Sequence, residues 1–173
     1  MELLTYMIIA LIPASAIVAV VYIMLKKNGE KEIAQLSAQL KLERQKYFLE
    51  PRVDAYQRVT LFLERINPHN LVMRLHNPKL SAAAFQAELL KNIRGEYDHN
   101  VAQQLFITPQ VWEMVKKSKE ETVKIINIAS NQMEKDATST DLSSKIFEVI
   151  AEIGDLPTEI TVQKLKKELQ RLF

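Results

Sequence analysis

The pattern of apolar and polar positions changes character twice along the chain. From Leu3 to Leu25 it reads LLTYMIIALIPASAIVAVVYIML, 23 residues without a charged side chain. As a helix this run would extend about 34 Å, enough for a hydrocarbon core of ~30 Å with some tilt. Pro13 is tolerated in such a helix when neighbouring groups satisfy the freed carbonyl. Tyr6 and Tyr22 stand near the two ends, where amphipathic rings prefer the headgroup zone. Ala10, Ala14 and Ser15 are small residues of the kind that let membrane helices approach. A cleaved leader fits less well. Met1-Glu2 supplies no positive start, the run exceeds the usual ~7–15 residues, and Ala14-Ser15-Ala16 falls inside it. Residues 1–27 are therefore expected to be an uncleaved anchor contacting the lipid bilayer through 3–25.

Past Lys26-Lys27 the pattern becomes mixed. Asn28-Gly29 reads as a break. Over residues 28–50 the apolar positions Ile33, Leu36, Leu40 and Tyr47 follow a/d spacing, with Glu43 interrupting the seam. Two imperfect heptads fall short of the three to four that argue a coiled coil. The segment is expected to be an amphipathic helical stalk, up to roughly 38 Å long if fully helical. Lys41, Arg44 and Lys46 make anionic headgroups an alternative contact for it.

Pro51 then reads as the first residue of a new helical unit. The spacing predicts a helix over 52–66 burying Val53, Tyr56, Val59, Phe62, Leu63 and Ile66. Asn67-Pro68-His69-Asn70 ends it, and a short piece follows at 71–76. Ser81 is a candidate N-cap for a helix carrying Phe85, Leu89, Leu90 and Ile93. Gly95 and the polar residues after it should soften that helix before Val101, Leu105 and Phe106 resume the apolar face. Thr108-Pro109 starts a helix to about Met133, striped by Val111, Trp112, Val115, Thr122, Ile125, Ile126 and Ala129. Helices at 141–153, ending at Gly154, and 159–173 complete the set. The latter carries Ile160, Val162, Leu165, Leu169 and Leu172. No segment alternates with period two. The expected fold is all-α: a transmembrane helix, a helical stalk, and a bundle of five to six helices over 51–173. A domain of that size buries roughly 65% of its unfolded surface, enough for a core of its own.

Composition narrows the function classes. The chain has 3 Gly and no Cys, so it holds neither a disulfide framework nor a glycine-rich phosphate loop. The net charge of +2 is too mild to argue for nucleic acid, and no nucleic-acid module signature is present. Every Lys and Arg lies at or after position 26, and Glu2 is the one charged side chain before the run. By the positive-inside rule the N-terminus is outside and residues 26–173 are cytoplasmic.

The three histidines, His69, His76 and His99, lack the spacing of a zinc site, and no metal or cofactor is expected. Glu96, Asp98 and His99 are the densest titratable cluster. A carboxylate beside a histidine is how a general base is tuned, yet sequence neighbours on a helix point apart. An enzyme acting near the membrane through His99 is thus the alternative, not the leading reading, and no catalytic residue is assigned. Tyr97, Asp98, His99, Asn100, Gln103 and Gln104 form a run of amides and acids between two apolar stripes, and are the candidate partner-binding residues. Arg52, Arg58, Arg65, Arg74 and Lys79 give a local positive excess, a candidate patch for anionic lipid or an acidic partner.

The segments YQRVTLFLERINP and HNVAQQL, the Trp112 helix and the closing KLKKELQRLF together resemble an uncharacterised family of small bacterial single-span membrane proteins. The resemblance covers nearly the whole chain. It implies a bacterial inner-membrane protein with a helical cytoplasmic domain, and it implies no activity or ligand residues. The expected role is a tethered interaction or scaffold module, working with a protein partner or as a homo-oligomer.

Overall fold

The computed structural model describes the backbone of residues 2–171 and the side chains of 17, 19–44 and 46–171. Six α-helices and one 3₁₀ turn account for nearly all of it. They are α1 (Glu2–Ile66), α2 (Pro68–Leu75), α3 (Ala82–Asn100), the 3₁₀ turn Val101–Leu105, α4 (Pro109–Ser130), α5 (Ser139–Ile153) and α6 (Pro157–Gln170). The chain divides into two units, Met1–Leu49 and Glu50–Phe173.

In the first unit the expected break at Asn28-Gly29 does not occur, and both residues are helical. One glycine costs about 1 kcal/mol against alanine, and the strong helix formers Lys26, Lys27, Glu30 and Lys31 around it outweigh that cost. Pro51 likewise stands inside α1 instead of opening a helix. Its ring removes the N–H that would bond the Tyr47 carbonyl. Among the described residues no helix is long and apolar enough to cross a membrane. The expected span over 3–25 falls largely on residues whose side chains lie outside those described.

The second unit is a helical bundle around one core. The α1 stripe Ala55, Tyr56, Val59, Phe62, Leu63 and Ile66 is fully buried. It joins Leu71 and Val72 of α2, Phe85, Leu89 and Ile93 of α3, and Val111, Trp112, Val115, Ile125 and Ile126 of α4. Leu142 and Ile146 of α5 and Val162 and Leu165 of α6 complete it. Helix α4 is the centre, packing against α2, α3, α5 and α6.

Polar groups decide where several helices begin. Asn67 caps α2 by accepting from the His69 N–H, with Pro68 at its first position, so the expected 67–70 loop shrinks to one residue. Ser81 caps α3. Thr138 and Asp141 form a reciprocal capping box on α5. The two segments preceding α3 and α5 are zipped by an isolated antiparallel bridge. The Ala82 N–H donates to Ala137 O and the Ser139 N–H to Leu80 O. Gly154 ends α5 at φ 77°, a conformation that favours glycine.

The stripes differ from expectation at several points: Val53 is only partly buried, Ile153 is 47% exposed, and three more have a readable cause. Gly95 is helical and α3 runs through it to Asn100. Leu105 is 81% exposed, because the 3₁₀ turn rotates it off the α3 face. Ile160 is half exposed while Thr158 and Thr161 are buried. The reason lies in α4: the buried Ser118 hydroxyl lies 2.9 Å from Met114 O and 3.0 Å from Pro157 O, two acceptors for its one proton, and 2.9 Å from Thr161 Oγ1. That hydroxyl contact selects a threonine face on α6. Leu172 lies outside the described residues.

Two predictions follow from the packing. The Tyr56 hydroxyl is buried without a good hydrogen-bond partner beside Arg52 Nε and Glu168 Oε2, which are also unpaired. Burial, reinforced by the Glu168 carboxylate and opposed by Arg52, pushes the phenol pKa up. Tyr56→Phe removes an unsatisfied group, so its stability should lie within about 1 kcal/mol of the parent or above it. Tyr56→Ala should cost about 3–5 kcal/mol. Urea melts of both variants check this, and a loss well beyond 1 kcal/mol in Tyr56→Phe would show a real bond.

The second concerns Asp141. Hydrogen bonds from the Thr138 hydroxyl and N–H hold its carboxyl below the usual 3.8. A depressed folded pKa contributes stability that is present above the unfolded value and is lost as pH falls through the folded one. Thr138→Ala removes the hydroxyl donor but keeps the N–H, so it should reduce this part of the acid-side slope, read from thermal melts between pH 5 and pH 2. An unchanged slope would contradict it.

Candidate functional site

Helix α3 has two working sides. Leu89 and Ile93 enter the core, and to either side of them lies an open groove. The first is built by α3 alone, from Ala87, Glu88, Lys91, Asn92, Gly95, Glu96 and His99, and encloses about 620 Å³. These residues recur at spacings of three and four, so they form one continuous strip. At Gly95 a Cβ would meet nothing within 4 Å, which leaves the floor of this groove open. The second groove lies between α3 and α4, about 520 Å³, lined by Leu90, Ile93, Arg94, Tyr97, Asp98, Lys119, Glu120 and Val123.

The first groove is stiffened by its basic edge. Arg65 Nε, near the end of α1, pairs with Glu96 Oε1 at 2.7 Å. Arg74 Nη2 of α2 donates to Asn92 Oδ1 at 2.9 Å and to the Arg65 carbonyl at 3.1 Å. One arginine thus ties α2 to both α1 and α3. The polar clamp between α3 and α4 is separate. Gln86 Nε2 donates to Asn127 Oδ1, and Ser130 Oγ donates to Gln86 Oε1.

The candidate partner-binding run is dispersed by this geometry. Tyr97 lies between Phe62 and Trp112, each ring centroid 6.1 Å away, with Lys119 Nζ 4.4 Å from its own centroid. It acts mainly as aromatic packing joining α1, α3 and α4. Asp98 faces the α3–α4 groove and His99 the α3 groove. The pair therefore does not converge as an acid–base dyad requires. The Asn100 side chain donates to the Glu96 carbonyl at the end of α3. Gln103 and Gln104 belong to the 3₁₀ turn, Gln104 exposed and Gln103 partly buried.

The basic residues are also individually placed. Arg58 pairs with Asp54 at 2.7 Å, Arg65 with Glu96, and Arg74 with Asn92. Arg52 is half-buried beside Tyr56 and Glu168, and Lys79 is exposed past the end of α2.

The other histidines serve local packing. His69 lies 5.1 Å from the Phe147 ring. His76 Nδ1 is 3.3 Å from Ser143 Oγ, and that hydroxyl donates to the Ser139 carbonyl. Among the described residues no three His, Cys, Asp or Glu side chains are grouped to hold a metal ion. Glu88, Lys91 and Asn92 were not singled out from the sequence. Their signal was present as the i, i+4 strips Glu88–Asn92–Glu96 and Lys91–Gly95–His99.

A family model matches residues 2–172. The chain belongs to DUF7935, a family of unknown function. No curated protein and no solved structure matches it. Family membership thus covers both units, the α3 groove and the apolar start alike, and assigns a role to neither.

The Arg65–Glu96 pair is partly exposed, at 44% and 16% of the two side chains. A double-mutant cycle with Arg65→Ala and Glu96→Ala should give a coupling of about 0.2–1 kcal/mol. Coupling indistinguishable from zero would mean that the pair does not order this edge.

Proposed function

We propose that this chain is a membrane-tethered interaction module. Residues 3–25 cross the bacterial inner membrane with the N-terminus outside, and the helical bundle works in the cytoplasm. There it presents the open side of α3 to a protein partner. The observation that carries the reading is the apolar start of α1. Ile17, Val20, Val21, Tyr22, Ile23, Met24 and Leu25 are 48–67% exposed. Burial of one such side chain contributes about 1.5–3 kcal/mol. A helix that is apolar all round calls for lipid or a protein interior. The charge-free run of 23 residues is long enough for lipid, and Lys26-Lys27 mark its inner edge.

The α3 groove supports the binding part. It is open, mixed in charge, and mounted on a helix whose opposite side is fixed in the core. A rigid face of that kind presents its polar groups without the ordering cost of a loop. Tethering confines the module to the membrane surface, so modest contacts suffice for a stable complex. The basic residues Arg58 and Arg65 are held in ion pairs, which favours the α3 groove over a lipid-binding role for the Arg52–Lys79 region.

Fractionation tests the tether. The full chain, expressed in bacteria, should sediment with membranes, resist alkaline carbonate and be released by detergent. Ile17→Lys with Val20→Lys, at about 2.5–3.5 kcal/mol per charge near a helix centre, should shift it to the soluble fraction. External protease on sealed cells should leave the bundle intact. A parent chain that is soluble, or digested from outside, refutes the reading. Lys91→Glu with Glu88→Lys should abolish any defined crosslinked complex while leaving the melting temperature unchanged.

A further inference from the structure

The stalk carries a stripe that nothing in its own unit covers. Ile33, Leu36, Leu40 and Tyr47 are 71%, 57%, 48% and 82% exposed, all on the helical segment before Glu50. At 100° per residue these four and Gly29 fall within a sector of about 60°, and two large exposed apolar residues of the segment, Leu42 and Phe48, lie outside it. A helix lying on a core or a bilayer shows an apolar face of about 100° or more, whereas a strict a/d stripe is the narrow seam of a coiled coil.

We infer that this seam pairs in parallel with the same seam of a second copy of the chain. Three features select that occupant. The a positions are Ile33, Leu40 and Tyr47 and the d positions Gly29, Leu36 and Glu43; the adjacent Ile33 and Leu36 layers carry the β-branched a and leucine d that favour two parallel strands. Glu43, which breaks the apolar pattern, takes d, and Arg44 takes e. A d side chain in a parallel pair enters a hole bordered by the partner's d and e residues. The two Glu43 carboxylates thus share one layer, and Arg44 of each copy borders the other's Glu43, so two reciprocal charge pairs offset the repulsion between the acids. Both side chains are exposed in the single chain. Finally, Gly29 lets the backbones approach at the start of the seam.

A lipid surface fits this stripe less well, because Glu43 and Glu32 flank it and would meet anionic headgroups. An antiparallel pairing centred on Ala38 sets Glu43 against Ile33, leaving a carboxylate on an apolar layer. The direction of pairing rests on the tethered reading: two chains inserted in one bilayer with the same orientation run parallel. The shared membrane also raises their effective concentration, which compensates for a seam of only a few layers.

The chain has no cysteine, so single cysteines report geometry directly. Leu36→Cys, Leu40→Cys and the outward-facing Ala38→Cys are made in the full chain and oxidised in native membranes. Leu36→Cys and Leu40→Cys should each form disulfide dimers, roughly tenfold above Ala38→Cys, whose Cα atoms lie too far apart to be bridged. Glu43→Arg or Arg44→Glu should each lower the Leu36→Cys dimer yield, and together should restore it. Equal yields at all three positions, or no dimer, overturn the pairing. So does a dimer that forms only when Leu36→Cys and Leu40→Cys chains are mixed, since that is the antiparallel arrangement. The same position-specific dimer in a soluble fraction keeps the pairing and rejects the tether. A membrane pellet without it keeps the tether and rejects the pairing.

Discussion

Burial of α4 on several sides is the constraint on which the bundle depends. Val111, Trp112, Val115, Ile125, Ile126 and Ala129 are each at most 5% exposed, and this one helix packs against α2, α3, α5 and α6. Its apolar surface leaves each neighbour one side to bury and one side free. For α3 the buried side is Phe85, Leu89 and Ile93, and the free sides become the two grooves. For α6 the buried side is set by Ser118 and Thr122 of α4, small enough to bring the backbones close. Their hydroxyls need partners, since an unsatisfied buried hydroxyl costs about 1–3 kcal/mol. Thr161 and the Pro157 carbonyl supply those of Ser118, and the Ser118 carbonyl accepts from Thr122.

Much of this arrangement was legible in the residue pattern. The stripes of α1, α4 and α5 follow helical spacing closely, so most of their core residues are legible, with buried Ala55 missed and Val53 and Ile153 less buried than the spacing implies. The errors share one cause. At Ile160 the apolar side chain was chosen over Thr158 and Thr161, and the hydroxyl network that reverses the choice joins residues 43 apart in sequence. At Asn67 the side chain acts as a cap, which turns an apparent loop into a helix start. At Gly95 the propensity cost is real but is outweighed by Ile93 and Tyr97, which anchor α3 on both sides of it. Local pattern predicts elements; contacts across the fold choose among faces.

The candidate site shows the same division. Its residues were sought in one polar run, Tyr97 to Gln104, yet helix geometry distributes that run over the core, two grooves and a 3₁₀ turn. A functional strip on a helix recurs every three to four residues, so the groove joins His99 to Lys91 and Glu96 to Glu88, not to its immediate neighbours. The arginines show why charge counting misleads. Arg58, Arg65 and Arg74 add to a basic excess in the sequence, but the fold commits each to a bond with a carboxylate or an amide. For Arg65 and Arg74 the contribution is the shape of the groove edge more than a positive field.

Helix α1 carries three kinds of surface in succession, and their widths argue for three environments. At 17 and over 19–25 it is apolar and exposed, the pattern on which the proposed tether rests. Over 29–47 the a/d residues Ile33, Leu36, Leu40 and Tyr47 span about 60°, the width of a seam between two helices, with exposed Leu42 standing off that stripe. Over 55–66, Ala55, Tyr56, Val59, Phe62, Leu63 and Ile66 spread over about 120°, the width of a face on a globular core. The third surface is covered by the bundle. The bundle face shows angular width matched to the surface that covers a helix, and the proposed tether and pairing read the other two widths by the same rule. If width had no predictive value, the buried face should have been no broader than the exposed seam.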